Sequence, residues 1–345
     1  MKSAPCNEEL QKTISRALIV GLGSMGRRRL RLLSRFFPDL SLAVVDCREE
    51  RREFVAREFD CLTFDGFREA LESFAPQSLI VSTSPEAHAP FLTEAIRMGI
   101  HTFSELDLLD DGYDAILPLE EKGFPVAFLS STPLYRSENR WIIGNHEKTG
   151  ARKFYTYHVG QYLPDWHPWE KYDEFFVGSP RTNAIREILC IELPWLTECF
   201  GKVTDFSCSW SRTSSLNLPY PDTCQVLLRH ADGTAGNLTV DCVSRKAVRN
   251  LRISGEEGTI LWEGNSRSLC YLSPSGEPVH PLLQEKELER QAGYAEFISE
   301  SPYLEELRHF FSLVSGETAE RGYSYARHRE ILRLVDELER VWREQ

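Results

Sequence analysis

The sequence predicts an α/β protein: an N-terminal doubly wound parallel sheet, followed by a second α/β domain on an open mixed or antiparallel sheet. Three observations predict it. Over the first 130 residues, short apolar runs alternate with amphipathic helical runs, the pattern of βαβ units with right-handed crossovers. After residue 130 that rhythm gives way to strands separated by tight turns. Two amphipathic helical stretches, 301–316 and 326–342, close the chain. The expected partition is 1–130, 131–320 and a C-terminal helical segment, 321–345. That last helix should pack back on the body, because a lone helix of its length is marginal in water.

Residues 17–21, ALIVG, are apolar throughout, as a strand buried on both faces requires. A helix is expected over 25–37, a strand over 40–46 and a helix over 48–59. The strand 78–84, the helix 86–99 closed by Gly99, and the strand 101–105 come next. A helix over 112–123 and a strand over 125–130 complete the first domain. Beyond it, 151–161 alternates as a strand does, and 162–176 is a loop rich in proline and aromatic residues. Residues 184–200 read as helix, with Pro194 expected to kink or restart it. Strands follow at 205–212, 224–230, 235–244, 250–255 and 259–264, with turns at ADG (231–233) and EEG (256–258). Trp210 and Trp262 read as core.

The 345 residues are 41% hydrophobic and 27% charged, an ordinary globular composition with room for two domains. A net charge of −12 argues against nonspecific nucleic-acid binding. No apolar run approaches the roughly 18–20 residues that span a bilayer, and the polar start lacks the apolar core of a signal peptide. Nine cysteines, an odd number with no C-x-x-C pair, suit neither a disulfide framework nor a metal site. A reducing cytoplasm is the expected compartment.

Gly21, Gly23 and Gly26 have G-x-G-x-x-G spacing, just after an apolar strand and at the opening of a helix. This is the Rossmann dinucleotide fingerprint: a tight turn, a close approach to pyrophosphate, and close helix–sheet packing. Ser24 and Met25 complete the turn. Asp46, at the end of the second strand, suits the adenine ribose hydroxyls and repels a 2′-phosphate, which favours NAD over NADP; Arg48 softens that preference. Ser82, Thr83, Ser84, Pro85 and Glu105 fall at carboxyl ends of strands, where such sheets bind ligands, and are expected on the nicotinamide side. Arg27, Arg28 and Arg29 read as a solvated helix face.

The stretches IVGLGSMGRRRLRLL, LIVSTSPEAHAPFLTEAIRMGIHTFSELDL and ISGEEGTILWEG resemble the glucose–fructose oxidoreductase / inositol dehydrogenase / rhizopine catabolism family (Gfo/Idh/MocA). GQYLPDWHPWEKYDEFF resembles a loop of a sugar-acting branch. The resemblance covers most of the chain. It implies a Rossmann domain and a C-terminal α/β domain on an open mixed sheet. It also implies homodimers or homotetramers through that sheet, and NAD(P)-dependent oxidation or reduction of a sugar, polyol or nucleotide sugar. Pro85 and His88 fall on the family's T-x-P-x-x-H stretch, which places His88 with the cofactor contacts. Two departures stand out. The family's E-K-P falls on Glu105-Leu106-Asp107, so its lysine is Leu106. Its D-x-x-x-H-x-x-D helix overlays EILCIELP, with Glu187 on the first acid, Ile191 on the histidine and Pro194 on the last acid.

Hydride transfer from an alcohol needs a base near the hydroxyl, a group that holds it, and a dry slot. His167, between two tryptophans in DWHPW, is the expected acid/base. Arg186 and Glu192 are the expected anchors, and Glu187 is a fourth catalytic candidate. His158, Tyr162, Asp165 and Trp166 are the expected substrate contacts, although His158 reads equally well as a partly buried strand residue. No metal is expected. Two other readings stay open: a non-catalytic NAD-binding sensor or regulator, and an NAD-retaining enzyme that drives epimerisation or elimination.

Overall fold

The computed structural model describes residues 14–167, 171–283 and 299–344. Most of the polar leader, and Pro168, Trp169 and Glu170 of the aromatic loop, lie outside the described residues. The chain forms two compact units: Met1–Ser130 with Tyr303–Arg329, and Ser131–Pro302 with Glu330–Gln345.

In the first unit, β1 (Arg16–Val20), α1 (Ser24–Phe36), β2 (Ser41–Val45), α2 (Glu49–Glu58), β3 (Leu62–Phe64) and α3 (Phe67–Phe74) come first. Then come β4 (Ser78–Val81), α4 (His88–Arg97), β5 (His101–Ser104), α5 (Tyr113–Lys122) and β6 (Ala127–Leu129). The six strands make one parallel sheet in the order β3-β2-β1-β4-β5-β6. This is the Rossmann strand order, with the reversal beside β1. The apolar runs fill the interior: Ala17, Leu18, Ile19, Leu79, Ile80 and Val81 are all buried. β3 and α3 went unread in the sequence, because a three-residue edge strand with an exposed Leu62 carries no apolar run. In α1, Gly26, Arg29, Leu30 and Leu33 recur at three- and four-residue intervals and form the buried stripe. Arg28 and Arg29 are therefore buried, not solvated as their charge had suggested.

The second unit contains α6 (Ser137–Asn145), β7 (Lys153–Gly160), α7 (Ala184–Phe200), β8 (Val203–Ser211), β9 (Thr223–His230) and β10 (Ala235–Asp241). It continues with β11 (Val248–Gly255), β12 (Gly258–Trp262), β13 (Cys270–Leu272) and β14 (Pro278–Val279). These strands form one sheet in the order β14-β13-β12-β11-β7-β10-β9-β8. It is mixed: β7 and β10 run parallel, and every other neighbouring pair is antiparallel. One face carries α7. Tyr155 stacks on Phe200 with ring centroids 4.9 Å apart, and Tyr157 meets Trp195 edge-on at 5.5 Å. Alternation sends Phe154, Thr156 and His158 to the opposite face. Phe154 and Leu227 are exposed there. Pro194 does not restart α7, which runs unbroken over 17 residues. Leu193, Trp195 and Leu196 around it are fully buried, and that packing outweighs the lost backbone bond. Trp210 and Trp262 are core residues, as their apolar context suggested.

α8 (Ser301–Ser315) explains why the chain returns to the first unit, an excursion that a boundary at 320 did not anticipate. Its Phe310 meets Phe103 and Phe128 at 5.7 and 6.0 Å, and those two rings stack at 5.1 Å. Each buried phenylalanine contributes about 2–3 kcal/mol. α9 (Tyr325–Arg343) follows. Among the described residues, no helix is long and apolar enough to cross a membrane.

Candidate functional site

The first-unit site begins at the turn between β1 and α1. Gly21 has φ +90°, and a side chain there would strike the Ser82 carbonyl at 2.7 Å. A Cβ on Gly26 would lie 1.8 Å from the Gly21 carbonyl oxygen, so only glycine lets α1 seat this close to the sheet. At Gly23 a Cβ would meet nothing within 4 Å. That open space lies at the N-terminus of a 13-residue helix, where the first-turn amides have no intrahelical acceptor. Such a cradle fits a pyrophosphate. Asp46 braces it: Leu22 N–H donates to Oδ2 at 2.6 Å and Arg48 N–H to Oδ1 at 2.8 Å. Arg51 Nη1 lies 3.6 Å from Oδ2. A carboxylate accepts about four hydrogen bonds, so Asp46 keeps capacity for a ribose while it fixes the turn.

Two residues expected among the cofactor contacts are committed elsewhere. Glu105 is buried against Arg29, whose Nε and Nη2 donate to its two oxygens at 2.7 and 3.0 Å. Arg29 Nη2 also donates to Glu306 Oε2 at 2.7 Å, and Arg29 Nη1 to the Tyr303 carbonyl at 2.9 Å. Burial works against the Arg29 charge, but Glu105 and Glu306 more than offset it and raise its pKa above the ordinary value. Burial raises the Glu306 carboxyl, which the single guanidinium only partly opposes.

His88 is buried too. Its Nδ1 lies 2.6 Å from Asp107 Oδ1 and its Nε2 lies 3.0 Å from the Thr83 carbonyl oxygen. Both are acceptors, an environment that favours the imidazolium, the form that donates on both sides. Burial alone would lower its pKa, but the bond and charge of Asp107 more than offset that, and the net shift is upward. Tyr113 donates to Asp107 Oδ2 at 3.0 Å. Both ring nitrogens of His88 are thus engaged within the protein, one of them on the Thr83 backbone. A histidine whose folded pKa is raised stabilises fully below its unfolded value, about pH 6.5, and the stabilisation fades as pH rises through the folded value. The urea midpoint of the wild type should therefore fall across that upper range, and His88→Asn should flatten the fall. An unchanged slope in the variant would remove the pair from the linkage.

In the second unit, α7 presents the acid/base candidates. Glu192 is spent: Tyr157 OH and Trp195 Nε1 donate to Oε2 at 2.8 and 2.7 Å, and Arg249 Nη2 holds Oε1. Arg186 is buried, with Nη1 2.8 Å from Asp336 and 3.1 Å from Glu339. Both expected anchors are thus paired within the protein, Arg186 with Asp336 and Glu339 and Glu192 with Arg249. Glu187 differs. Its side chain is half-buried by area, yet Oε2 is sealed from solvent and meets no hydrogen-bond partner among the described residues. Burial pushes its carboxyl up to about 8. Tyr220 lies within electrostatic reach of Glu187 and Cys242. Its hydroxyl donates to the Val177 carbonyl at 2.6 Å.

His158 lies on the sheet face opposite α7, so alternation takes it away from Glu187. Its Nε2 is 2.6 Å from Asp241. Burial would raise Asp241, but the His158 bond and the Val243 and Ser244 amides more than offset it and hold the carboxyl below its ordinary range. Of the aromatic loop, Tyr162 stacks under Arg245 at 3.7 Å and Trp166 Nε1 donates to the Gln161 carbonyl at 3.1 Å. Asp165 is exposed in a short turn, Leu163–Asp165. His167 lies flat on Phe175, with centroids at 4.8 Å and planes at 12°. Sequence reasoning missed Arg29, Asp107, Asp241 and Arg245. Only Arg29 left a signal, its place in the helical stripe between Gly26 and Leu33.

No curated protein matches the chain by sequence. Residues 15–106 match the model of the Gfo/Idh/MocA group, described as an oxidoreductase family with an NAD-binding Rossmann fold. An oxidoreductase from Thermotoga maritima shares 18% identity, a TM-score of 0.72, and 95% of both chains. A levoglucosan dehydrogenase solved with NADH and L-sorbose shares 15% identity, a TM-score of 0.74, and 94% of this chain with 95% of that one. The UDP-N-acetylglucosamine 3-dehydrogenase from Acidithiobacillus ferrooxidans shares 16% identity, a TM-score of 0.72, and 92% of this chain with 94% of that one. At these identities the likeness to solved structures is one of fold. The sequence match lies in the first unit, over the strand, turn and helix that build the dinucleotide cradle, and it is to the NAD-binding Rossmann domain of the Gfo/Idh/MocA oxidoreductases that residues 15–106 are similar.

Proposed function

We propose that the protein is an NAD-dependent oxidoreductase that transfers hydride from a hydroxyl-bearing carbon of a sugar, polyol or nucleotide sugar. The observation that carries this reading is Glu187, a carboxyl with an unpartnered oxygen and a pKa pushed up to about 8. It sits on α7 at the position of the family's first catalytic acid. Perturbed, unspent carboxyls mark acid/base sites. Bound NAD supplies the hydride acceptor. Glu187 takes the hydroxyl proton as the C–H bond gives up its hydride, so the O–H and C–H bonds break and C=O forms. Leu106 brings no charge to this step, and the burden of proton transfer falls on Glu187. The carbohydrate class is supported by the dehydrogenases of the same fold that bind levoglucosan or act on UDP-N-acetylglucosamine.

Exposed Phe154 and Leu227 on the sheet face opposite α7 support reading that face as the one through which copies of the chain associate. The eight free cysteines among the described residues suit a reducing compartment.

The test is to mix protein, NAD and a panel of sugars, polyols and nucleotide sugars and follow reduced-nicotinamide absorbance. Oxidation should rise with pH through about 8 as Glu187 loses its proton. Glu187→Gln should lose roughly 10²- to 10⁴-fold in turnover and that pH limb with it. Wild-type turnover and an unchanged profile in the variant would end the assignment.

A further inference from the structure

Arg245 and Lys246 stand side by side, exposed, and neither has an ion-pair partner among the described residues. Arg245 is held. Its guanidinium lies 3.7 Å from the centre of the Tyr162 ring.

Both residues hang from one built turn. Buried Asp241 accepts from Val243 N–H and Ser244 N–H at 2.9 and 2.7 Å, and from Ser244 Oγ at 2.9 Å. Gly160 makes room for that carboxylate: a Cβ there would sit 2.3 Å from Asp241 Oδ2. The backbone on either side of Tyr162 is tied to the same turn, with Gln161 N–H donating to the Asp241 carbonyl at 3.3 Å and Leu163 N–H to the Cys242 carbonyl at 2.9 Å. Cys242 N–H in turn donates to the Asp222 carbonyl at 3.0 Å, and two residues before Asp222 the Tyr220 hydroxyl accepts from Ala184 N–H at 3.3 Å, at the start of α7 and one turn from Glu187. The turn that carries the stacked arginine is therefore tied to the end of α7 that bears the acid/base candidate.

We propose that Arg245, backed by Tyr162, binds an anionic group on the substrate, so that the sugar is an acid or a phosphate ester and not a neutral one. This rests on the oxidoreductase reading above and narrows its substrate class. A guanidinium whose face is occupied by an aromatic ring presents its N–H edge, and that edge matches carboxylate and phosphate oxygens in a two-pronged fit. A neutral hydroxyl uses neither the charge nor the fork. Tyr162 and the nearby Trp166 offer apolar ring faces for the sugar itself.

The experiment is calorimetric titration of the full chain, saturated with NADH, with glucose, glucuronate, glucose 6-phosphate and UDP-glucose at two salt concentrations. At least one anionic probe should bind about tenfold or more tighter than glucose, with the advantage shrinking in high salt. Which arm responds distinguishes a carboxylate from a phosphate or diphosphate. Arg245→Ala should erase the advantage, and Arg245→Lys should keep part of it, since charge survives and the fork does not. Because Arg245 is exposed, neither change removes a core contact. Anionic probes that bind no tighter than glucose, or an advantage that survives Arg245→Ala, would overturn the proposal. NADH formation is scored separately. Turnover of neutral sugars that Arg245→Ala leaves intact keeps the oxidoreductase reading and overturns this one. An anion held through Arg245 with no NADH formed does the reverse.

Discussion

Arg29→Leu should destabilise the protein by on the order of 3–5 kcal/mol, the cost of leaving buried charge without its partner. Arg29 is completely buried and bonds both Glu105 and Glu306, and its guanidinium lies 4.5 Å from the centre of the Phe103 ring. Removing it leaves two carboxyls in a site that burial already makes hostile to charge, as the raised Glu306 shows. The pH dependence follows from the sign of that shift. A carboxyl whose folded pKa lies above its unfolded value loses stability as pH rises past the unfolded value. The gap between variant and wild type should therefore be widest near neutrality and narrow on acidification, where Glu306 takes up a proton. Adding Glu306→Leu should recover part of the loss, because an apolar pair of similar volume replaces a broken ion pair. Denaturant midpoints across pH check this. A neutral-pH loss below about 1 kcal/mol would show that the network is solvated.

Gly26→Ala should abolish dinucleotide binding and destabilise the first unit, by about 1–3 kcal/mol or more for overpacking. The new methyl would lie 1.8 Å from the Gly21 carbonyl oxygen and 2.9 Å from its carbon, both backbone atoms. Neither swings aside as a side-chain tip does, so α1 has to lift away from the sheet. Gly23→Ala is the informative partner. Its methyl meets no protein atom within 4 Å, so the melting temperature should hold while NADH affinity falls, because the methyl occupies space that a pyrophosphate would take. NADH fluorescence titrations and thermal melts on both variants separate the two effects. Normal NADH binding by Gly26→Ala would mean that the turn is not the cradle described above.

The features that were legible in the sequence are local. ALIVG, the glycine spacing after it and Asp46 at the next strand end all fall within 30 residues, and each carries its own geometric requirement. The alternation of β7 was equally readable, yet which face meets α7 was not, and His158 fell on the other side for that reason. The α7 candidates show the same divide. Position along the helix marked Arg186, Glu187 and Glu192 together, but only their neighbours distinguish them. Glu339 and Asp336 neutralise Arg186, while Tyr157, Trp195 and Arg249 occupy Glu192, and Glu187 is left with an oxygen that meets no partner among the described residues.

By itself, then, the order of residues determined the parallel sheet, its dinucleotide turn and the presence of a second sheet, antiparallel or mixed. Hydrophobic period and glycine spacing act over a few residues, and the backbone obeys them wherever they occur. Tertiary structure alone decided which charges are spent and which remain. Arg29 meets Glu306 across 277 residues of chain, and His88 meets Asp107 across a strand and a helix. A side chain's protonation and availability depend on what burial brings within about 3 Å, and no local pattern encodes that.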